Sequence, residues 1–347
     1  MARFVFFNDP HYSRHPPECR AETYPHEILD KIHECARIAK RLGADALGCS
    51  GDWYHRKGKV TFAEANDVLA ALRSIRAQGL DVIGILGNHD IAGHSLASLD
   101  NRAVGTLVHS KVLQLLDHDP YWTEDEEAYV TGTSYFHGCD ADDMARIRMY
   151  GAETPWERGD APGMDSEGER APLHVHVAHG TLVRREFFEE YTRMEDLIGL
   201  LFDANCLPDV IVCGHLHYSE GIRMFDRPDG TGQVAICRLG SLGRVSVDDI
   251  DREPQALVIA TKWPRYVCKA VDIGKPAKRP VGVVVNEKGE TREEHQERIQ
   301  SFVRELREEA DTWSLVNHET LLRRLSSEMS QPEEVLARAV KAVERRQ

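Results

Sequence analysis

The sequence contains no CxxC pair, and its eight cysteines stand singly along the chain. That usage excludes a thiolate zinc site and a disulfide scaffold, and fits a protein of the reducing cytoplasm. Cys49, Cys213 and Cys237 lie inside apolar, strand-like stretches and read as small core residues. Also missing is any apolar run of the roughly 18 residues that a bilayer crossing needs, so no membrane partner is expected. The apolar start, Met1-Ala2-Arg3-Phe4-Val5-Phe6-Phe7, meets Asn8-Asp9-Pro10-His11 at once. A secretory leader would continue apolar and end in small residues, so the start reads as a buried first strand. Internal repeats and low-complexity tracts are absent. Basic charge is scarce: 43 Lys and Arg against 57 Asp and Glu leave a net charge of -14. Attraction to a phosphate backbone would then have to come from local positive potential or from bound divalent cations.

What remains is an ordinary globular composition, 41% hydrophobic and 29% charged over 347 residues. The length suits one large core with an appendage. Strands and helices alternate at first: strands at 4–7, 45–49 and 82–86, and helices at 24–42 and from Thr61 to Gly79. In the first helix Ile28, Ile32, Cys35 and Ala39 recur at helical spacing, and Gly43 is placed to end it. Thr61-Phe62-Ala63-Glu64 is a capping-box signature for the second. Shorter strands are expected at 112–115, 129–133, 174–178, 210–213, 234–238, 256–261 and 266–273, with a Gly-, Pro- and acid-rich loop at 151–170 and a hairpin turn at 225–230. The domain reading is a catalytic unit at 1–274 and a linker with a helical tail at 275–347. Within the tail, Thr291-Arg292-Glu293-Glu294 opens a charged helix carrying Ile299, Phe302, Val303 and Leu306.

The chemistry-bearing residues gather where strands end. Asp9-Pro10-His11, Gly51-Asp52-Trp53-Tyr54-His55, Gly87-Asn88-His89-Asp90, His179-Gly180 and Gly214-His215-Leu216-His217 each follow an expected strand. The carboxyl ends of strands are where open α/β sheets bind ligands. Singly, such turns carry little information; five in order supply one coherent set of Asp, Asn and His donors. Without cysteine, that set suits Mn, Fe, Mg or Zn. A shared carboxylate can hold two ions roughly 3.5–4 Å apart, the spacing that clamps an in-line phosphoryl displacement.

This order of motifs resembles the calcineurin-like metallophosphoesterase superfamily over residues 1–245. The resemblance implies an α/β fold, two mixed β-sheets in a sandwich flanked by helices. It also implies two divalent metal ions: Asp9, His11 and His217 on one, Asn88, His179 and His215 on the other, with Asp52 bridging. The catalytic residues would be His89, placed to protonate the leaving oxygen, with His55 and Asp90 beside it. The residues after His11, Tyr12-Ser13-Arg14, depart from the small or glycine residue usual there.

The position three after Asp52 separates the substrate classes. Protein phosphatases carry a second Asp there; Gly51-Asp52-x-x-His55 instead resembles the SbcD-type DNA repair nucleases, in which this histidine pairs with the general acid. The following Arg56-Lys57-Gly58-Lys59 would set basic side chains at the rim for strand phosphates. Leu239-Gly240-Ser241-Leu242-Gly243-Arg244 resembles the segment after the last histidine motif in those nucleases, and Arg244 joins the substrate-binding set. The resemblance implies a manganese-dependent 3′-to-5′ DNA exonuclease, with single-strand endonuclease activity as an option. Its tail would dock on an SbcC-type coiled-coil ATPase, and a homodimer is an option. A nucleotide or cyclic-nucleotide phosphodiesterase is the alternative, although Val177-Ala178-His179-Gly180 is not the His-His-Pro-Pro pattern of the cyclic-nucleotide enzymes. A non-catalytic scaffold on this fold would show lost ligands, and none of the matched positions is substituted. Trp53 and Tyr54 are candidates for base stacking or, more simply, for packing. His94, His137, His174 and His176 match no motif and read as solvated or packed.

Overall fold

The computed structural model describes residues 1–17, 20, 23–92, 96–117, 119–152, 172–184, 191–246, 249, 252–262 and 265–273. The expected tail helices, the linker, His94 and most of the 151–170 loop lie outside the described residues.

Two six-stranded mixed sheets form the framework. The first runs β14 (Arg265–Asp272), β13 (Gln255–Lys262), β1 (Arg3–Phe7), β2 (Ala46–Cys49), β3 (Asp81–Gly84), β4 (Gln114–Leu115). The second runs β11 (Gly221–Asp226), β12 (Gln233–Arg238), β10 (Val210–His215), β7 (Leu173–Gly180), β6 (Ala128–Thr133), β5 (Tyr121–Trp122). A two-stranded pair joins β8 (Leu182–Val183) to β9 (Thr192–Arg193). Successive strand residues face opposite sides of a sheet, so β1 serves two cores at once. Phe4 and Phe6 point between the sheets with Ile83, Ile85, Val175, Val177, Val210 and Val212. Val5 and Phe7 point outward into a layer with α1 (Tyr24–Leu42), α2 (Phe62–Arg76) and α3 (Ala103–His109). The outer face of the second sheet is covered by α4 (Asp143–Tyr150) and α5 (Met194–Asp203) through Met149, Leu197 and Leu201. The result is the expected sandwich of two sheets flanked by helices.

α1 ends where expected, at Gly43 with φ 60°. α2 begins with the expected capping box, Thr61 Oγ1 accepting from Glu64 N and Glu64 Oε2 accepting from Thr61 N at 2.7 Å. The strand expected at 112–115 shrinks to two residues because Val112 and Leu113 turn their side chains into the α3 layer. β11, α4 and α5 are additional to the elements expected from sequence; β11 has no fully buried position and so lacks an apolar stripe. Among the described residues no helix is long and apolar enough to cross a membrane. His174 and His176 are buried and share Thr131 Oγ1 at 2.9 Å each, which bears out packing as their role.

Candidate metal centre

β1, β2 and β3 are parallel in one sheet, and β7 and β10 are parallel in the other. Their carboxyl ends open onto one edge of the sandwich, where hydrogen bonds staple the two sheets together. Asn8 Nδ2 donates to Cys213 O at 3.0 Å, His215 N to Asp9 Oδ2 at 3.0 Å, and Leu86 N to Ser134 Oγ at 2.8 Å. The backbone here is forced into the left-handed region at Asp9 (φ 44°), His11 (φ 49°), Asp52 (φ 52°) and His215 (φ 86°). Each such residue costs on the order of 1–3 kcal/mol and persists only where its surroundings over-determine it. A Cβ at Gly87 would overlap Asp52 Oδ1, so that carboxylate can occupy its place only because residue 87 is glycine.

The side chains converge in two groups. Asp52, His179 and His215 bring ligand atoms within 4.8 Å of one another, as do His11, His55 and His89. His11 Nε2 and His217 Nε2 lie 2.9 Å apart, and Asp52 Oδ2 lies 3.5 Å from both His11 Nε2 and His179 Nε2. His179 Nδ1 donates to Ser50 O at 2.7 Å, which leaves Nε2 to face the site, and Asp9 Oδ1 lies 3.6 Å from the same ring. The Asn88 amide spans Asp52 Oδ2 at 3.2 Å and Lys57 Nζ at 2.8 Å. With its nitrogen towards Asp52 it hydrogen bonds; with its oxygen there, two acceptors face one point, as ligands of a shared cation do. All seven expected ligands are thus brought together. The first group also contains His55 and His89, which the resemblance does not count as ligands.

The electrostatics fit divalent cations. Burial pushes Asp9 up to about 8, and burial with the neighbouring Asp52 pushes Asp90 up to about 7. Burial also acts on Asp52, but the His179 and His11 imidazoles hold it well below the usual carboxylate range. Burial drives His11 well below its ordinary value and His215 down to about 3, favouring the neutral rings that metals bind. Asp9 Oδ1, His11 Nδ1 and His179 Nε2 are buried without a hydrogen-bond partner. Against burial, the Asp52 and Asp9 carboxylates raise His179 to about 9, so three carboxylates and orphaned buried acceptors already draw positive charge into this dry pocket, the charge that a cation would supply in place of that proton.

His89 Nδ1 lies 2.5 Å from His55 O, and its backbone N–H donates to Asp52 Oδ1 at 2.9 Å. The pairing of His89 with position 55 is therefore made by a main-chain carbonyl, not by the His55 ring, which stacks at 6.1 Å between centroids. Asp90, grouped with the catalytic residues on sequence, accepts from Gly87 N, Trp53 N and Tyr54 N at 2.9, 3.2 and 3.3 Å. Its carboxylate thereby brackets the β2 and β3 loops.

The expected substrate residues divide. Lys57 is exposed beside Asn88 and His89, Lys59 is exposed, and Arg56 is half-buried near His55. Arg244 is instead only 4% exposed, with φ 49°, and packs in the field of Arg20, Glu27, Arg252 and Asp249. Its segment backs the metal loop: Leu242 N donates to Asn8 O at 2.7 Å and Gly243 N to Asp9 O at 3.3 Å. α1 holds this segment from the other side through Lys31 Nζ on Leu242 O, while Arg20 Nη1 binds Gly243 O and Arg244 O. Trp53 and Tyr54 are core residues, Trp53 Nε1 donating to Ile85 O at 3.2 Å. Three further contributors belong to no motif: Lys31, Asp249, which lies 3.9 Å from His217 Nδ1, and Tyr135, whose ring stacks on His215 at 5.6 Å. Only Lys31 leaves a signal in the sequence, as a charge on the apolar stripe of α1 between Ile28 and Ile32.

The family model for the calcineurin-like phosphoesterase matches residues 2–219. Comparison with curated proteins finds no match. Among solved structures, a 5′-nucleotidase precursor from Thermus thermophilus is similar at 11% identity and a TM-score of 0.43, covering 81% of this chain and 56% of that one. The chain thus spans little more than half the length of that protein. With five motif loops converging on a pocket of Asp, Asn and His donors, and a family match over all of those loops, the chain belongs to the calcineurin-like phosphoesterase family and is a metal-dependent phosphoester hydrolase.

Proposed function

We propose that the chain is a DNA exonuclease that uses two manganese ions and degrades strands in the 3′-to-5′ direction, with a subsidiary cut on single strands. The observation that carries this reading is the basic loop after His55. Lys57 Nζ reaches within 2.8 Å of the Asn88 amide, so positive charge borders the pocket where it could meet strand phosphates.

Asp9, His11 and His217 would hold one cation and Asn88, His179 and His215 the other, with Asp52 between them. Bound there, the cations supply Lewis acidity, making water nucleophilic near neutral pH and offsetting charge on the phosphoryl oxygens. His89 is the proton donor to the departing deoxyribose oxygen. Burial lowers the His89 ring below its ordinary value, Asp52 and the bond from Nδ1 to His55 O oppose that, and the bond orients Nε2 to pass a proton. Asp90 keeps the loops bearing Asp52 and His89 in register.

The test is incubation of the purified chain, in Mn and then in Mg, with end-labelled DNA and with a chromogenic phosphodiester. Stepwise loss of terminal nucleotides from the 3′ end is expected. Intact DNA alongside rapid hydrolysis of mononucleotides or cyclic nucleotides would replace this reading with the nucleotide phosphodiesterase. The tail at 275–347 is proposed to dock on a coiled-coil ATPase of the SbcC type, and co-purification of full-length and truncated chains with that ATPase distinguishes docking from its absence.

A further inference from the structure

We infer that Phe62 and Arg102 extend the basic rim into a dock for the unpaired end of a DNA strand, Arg102 taking a phosphate and Phe62 stacking on a base. The inference rests on the nuclease reading and names the part of the surface that would recognise the strand.

Phe62 is the most exposed large apolar side chain among the described residues, at 91%. It opens α2, whose Val68, Leu72 and Ile75 are buried, so it is surplus to the packing of its own helix. The first turn of α2 is tied to the metal loop: Glu64 Oε1 accepts from Ser13 Oγ at 3.0 Å and Arg14 N at 2.8 Å, two and three residues beyond His11. Tyr12 also bridges to Tyr54 and donates to Asp67 of the same helix at 2.6 Å. Phe62 therefore stands on the flank of the pocket, three residues past Lys59.

Arg102 arrives from elsewhere in the sequence. A Cβ at Gly58 would lie 2.7 Å from its Nη1, so the guanidinium rests on the backbone of the basic loop at a glycine whose φ is +66°. Arg56, Lys57, Lys59 and Arg102 thus share one rim, and none is ion-paired to a carboxylate among the described residues. The neighbouring Arg14 is by contrast neutralised by Asp67 at 2.6 Å. In a chain of net charge -14, four cations without a carboxylate partner among the described residues, on the same flank as an exposed aromatic ring, favour an anionic partner with flat faces. Single-stranded nucleic acid is bound by that combination, a positive track with rings on which bases stack.

The experiment measures binding of a labelled single-stranded oligonucleotide by the full manganese-loaded chain across a salt series, with hydrolysis of a chromogenic phosphodiester in parallel. Arg102→Gln is expected to weaken binding and to flatten the slope of log K against log salt by about 0.7, one single-strand phosphate. Phe62→Ala is expected to weaken binding about 5- to 100-fold, with Phe62→Trp but not Phe62→Leu restoring it. Small-ester turnover stays unchanged in all four variants. Wild-type affinity in Arg102→Gln and Phe62→Ala overturns the dock, as does an equal loss of small-ester turnover, which would assign both residues to support of the pocket. If the unaltered chain binds no oligonucleotide yet hydrolyses the ester, the nuclease reading fails, and the dock with it.

Discussion

At the scale of single residues, the pocket combines strained backbone with groups whose charges are unbalanced. Asp9, His11 and Asp52 are held in the left-handed region, a strain that a shared cation would help to offset. His89 is the residue whose loss separates chemistry from binding. His89→Ala is expected to retain metal, measured by elemental analysis, while turnover of a phosphodiester falls about 10²–10⁴-fold, the usual worth of general acid catalysis. Unaltered turnover would remove His89 from that role. The ligand set was legible residue by residue because each motif places a donor directly after a strand. The roles of Asp90 and Arg244 were not, since nothing in the local sequence says whether a side chain points into the pocket or back into the loop.

At the scale of elements, α1 does more than cover a sheet. Its buried face carries Glu27 and Lys31 beside Ile28 and Ile32, and Glu27 pairs with Arg20 at 2.6 Å. Lys31 is pushed down to about 6, chiefly by burial and then by Arg244. Lys31 and Arg20 donate to the carbonyls of the Leu242–Arg244 turn, which in turn bonds the Asp9 loop. Arg20→Ala leaves Glu27 buried and unpaired and frees two carbonyls. The expected cost is about 3–5 kcal/mol, read as a lower urea midpoint, together with weaker metal retention. A change in midpoint under about 0.5 kcal/mol would mean that the surrounding loops repack without this pair. Helix boundaries were readable from Gly43 and the Thr61 capping box, which are local devices. β11, α4 and α5 were not, because β11 lies at the sheet edge and the two helices are short and placed by the sheet they cover.

At the scale of the whole molecule, two properties follow from what is buried between and beside the sheets. His174 and His176 lie in the second sheet, with Tyr129 stacked on His174, Asp209 Oδ2 accepting from His174 N and Arg227 nearby. Burial holds both rings below their ordinary value, His176 at about 4. The unfolded chain takes up protons there from a pKa of about 6.5 downward while the folded chain does not. Stability is therefore full above that pH and declines as pH falls from it towards 4. The urea midpoint should decline less steeply over that interval in His176→Gln than in the unaltered chain; parallel profiles would assign the acid sensitivity to other groups. Metal is expected to stabilise the fold as a whole, since Asp9, Asp52 and Asp90 share one dry pocket. Chelation should lower the thermal midpoint, and manganese at about 100 times its Kd should restore about 2.7 kcal/mol.

The amino-acid sequence by itself determined the kind of molecule: alternating apolar strands and amphipathic helices, and five donor-bearing turns in an order that implies a metallophosphoesterase. Those signals are local in the chain, a strand period followed by a turn, so they survive without knowledge of contacts. Tertiary structure alone decided which sheet each strand joins, that Asp90 brackets loops, that Arg244 is buried behind the metal turn, and that Arg102 lies on Gly58. Each of these depends on residues distant in sequence meeting across the sandwich, and a side chain's direction there is set by the packing of both sheets.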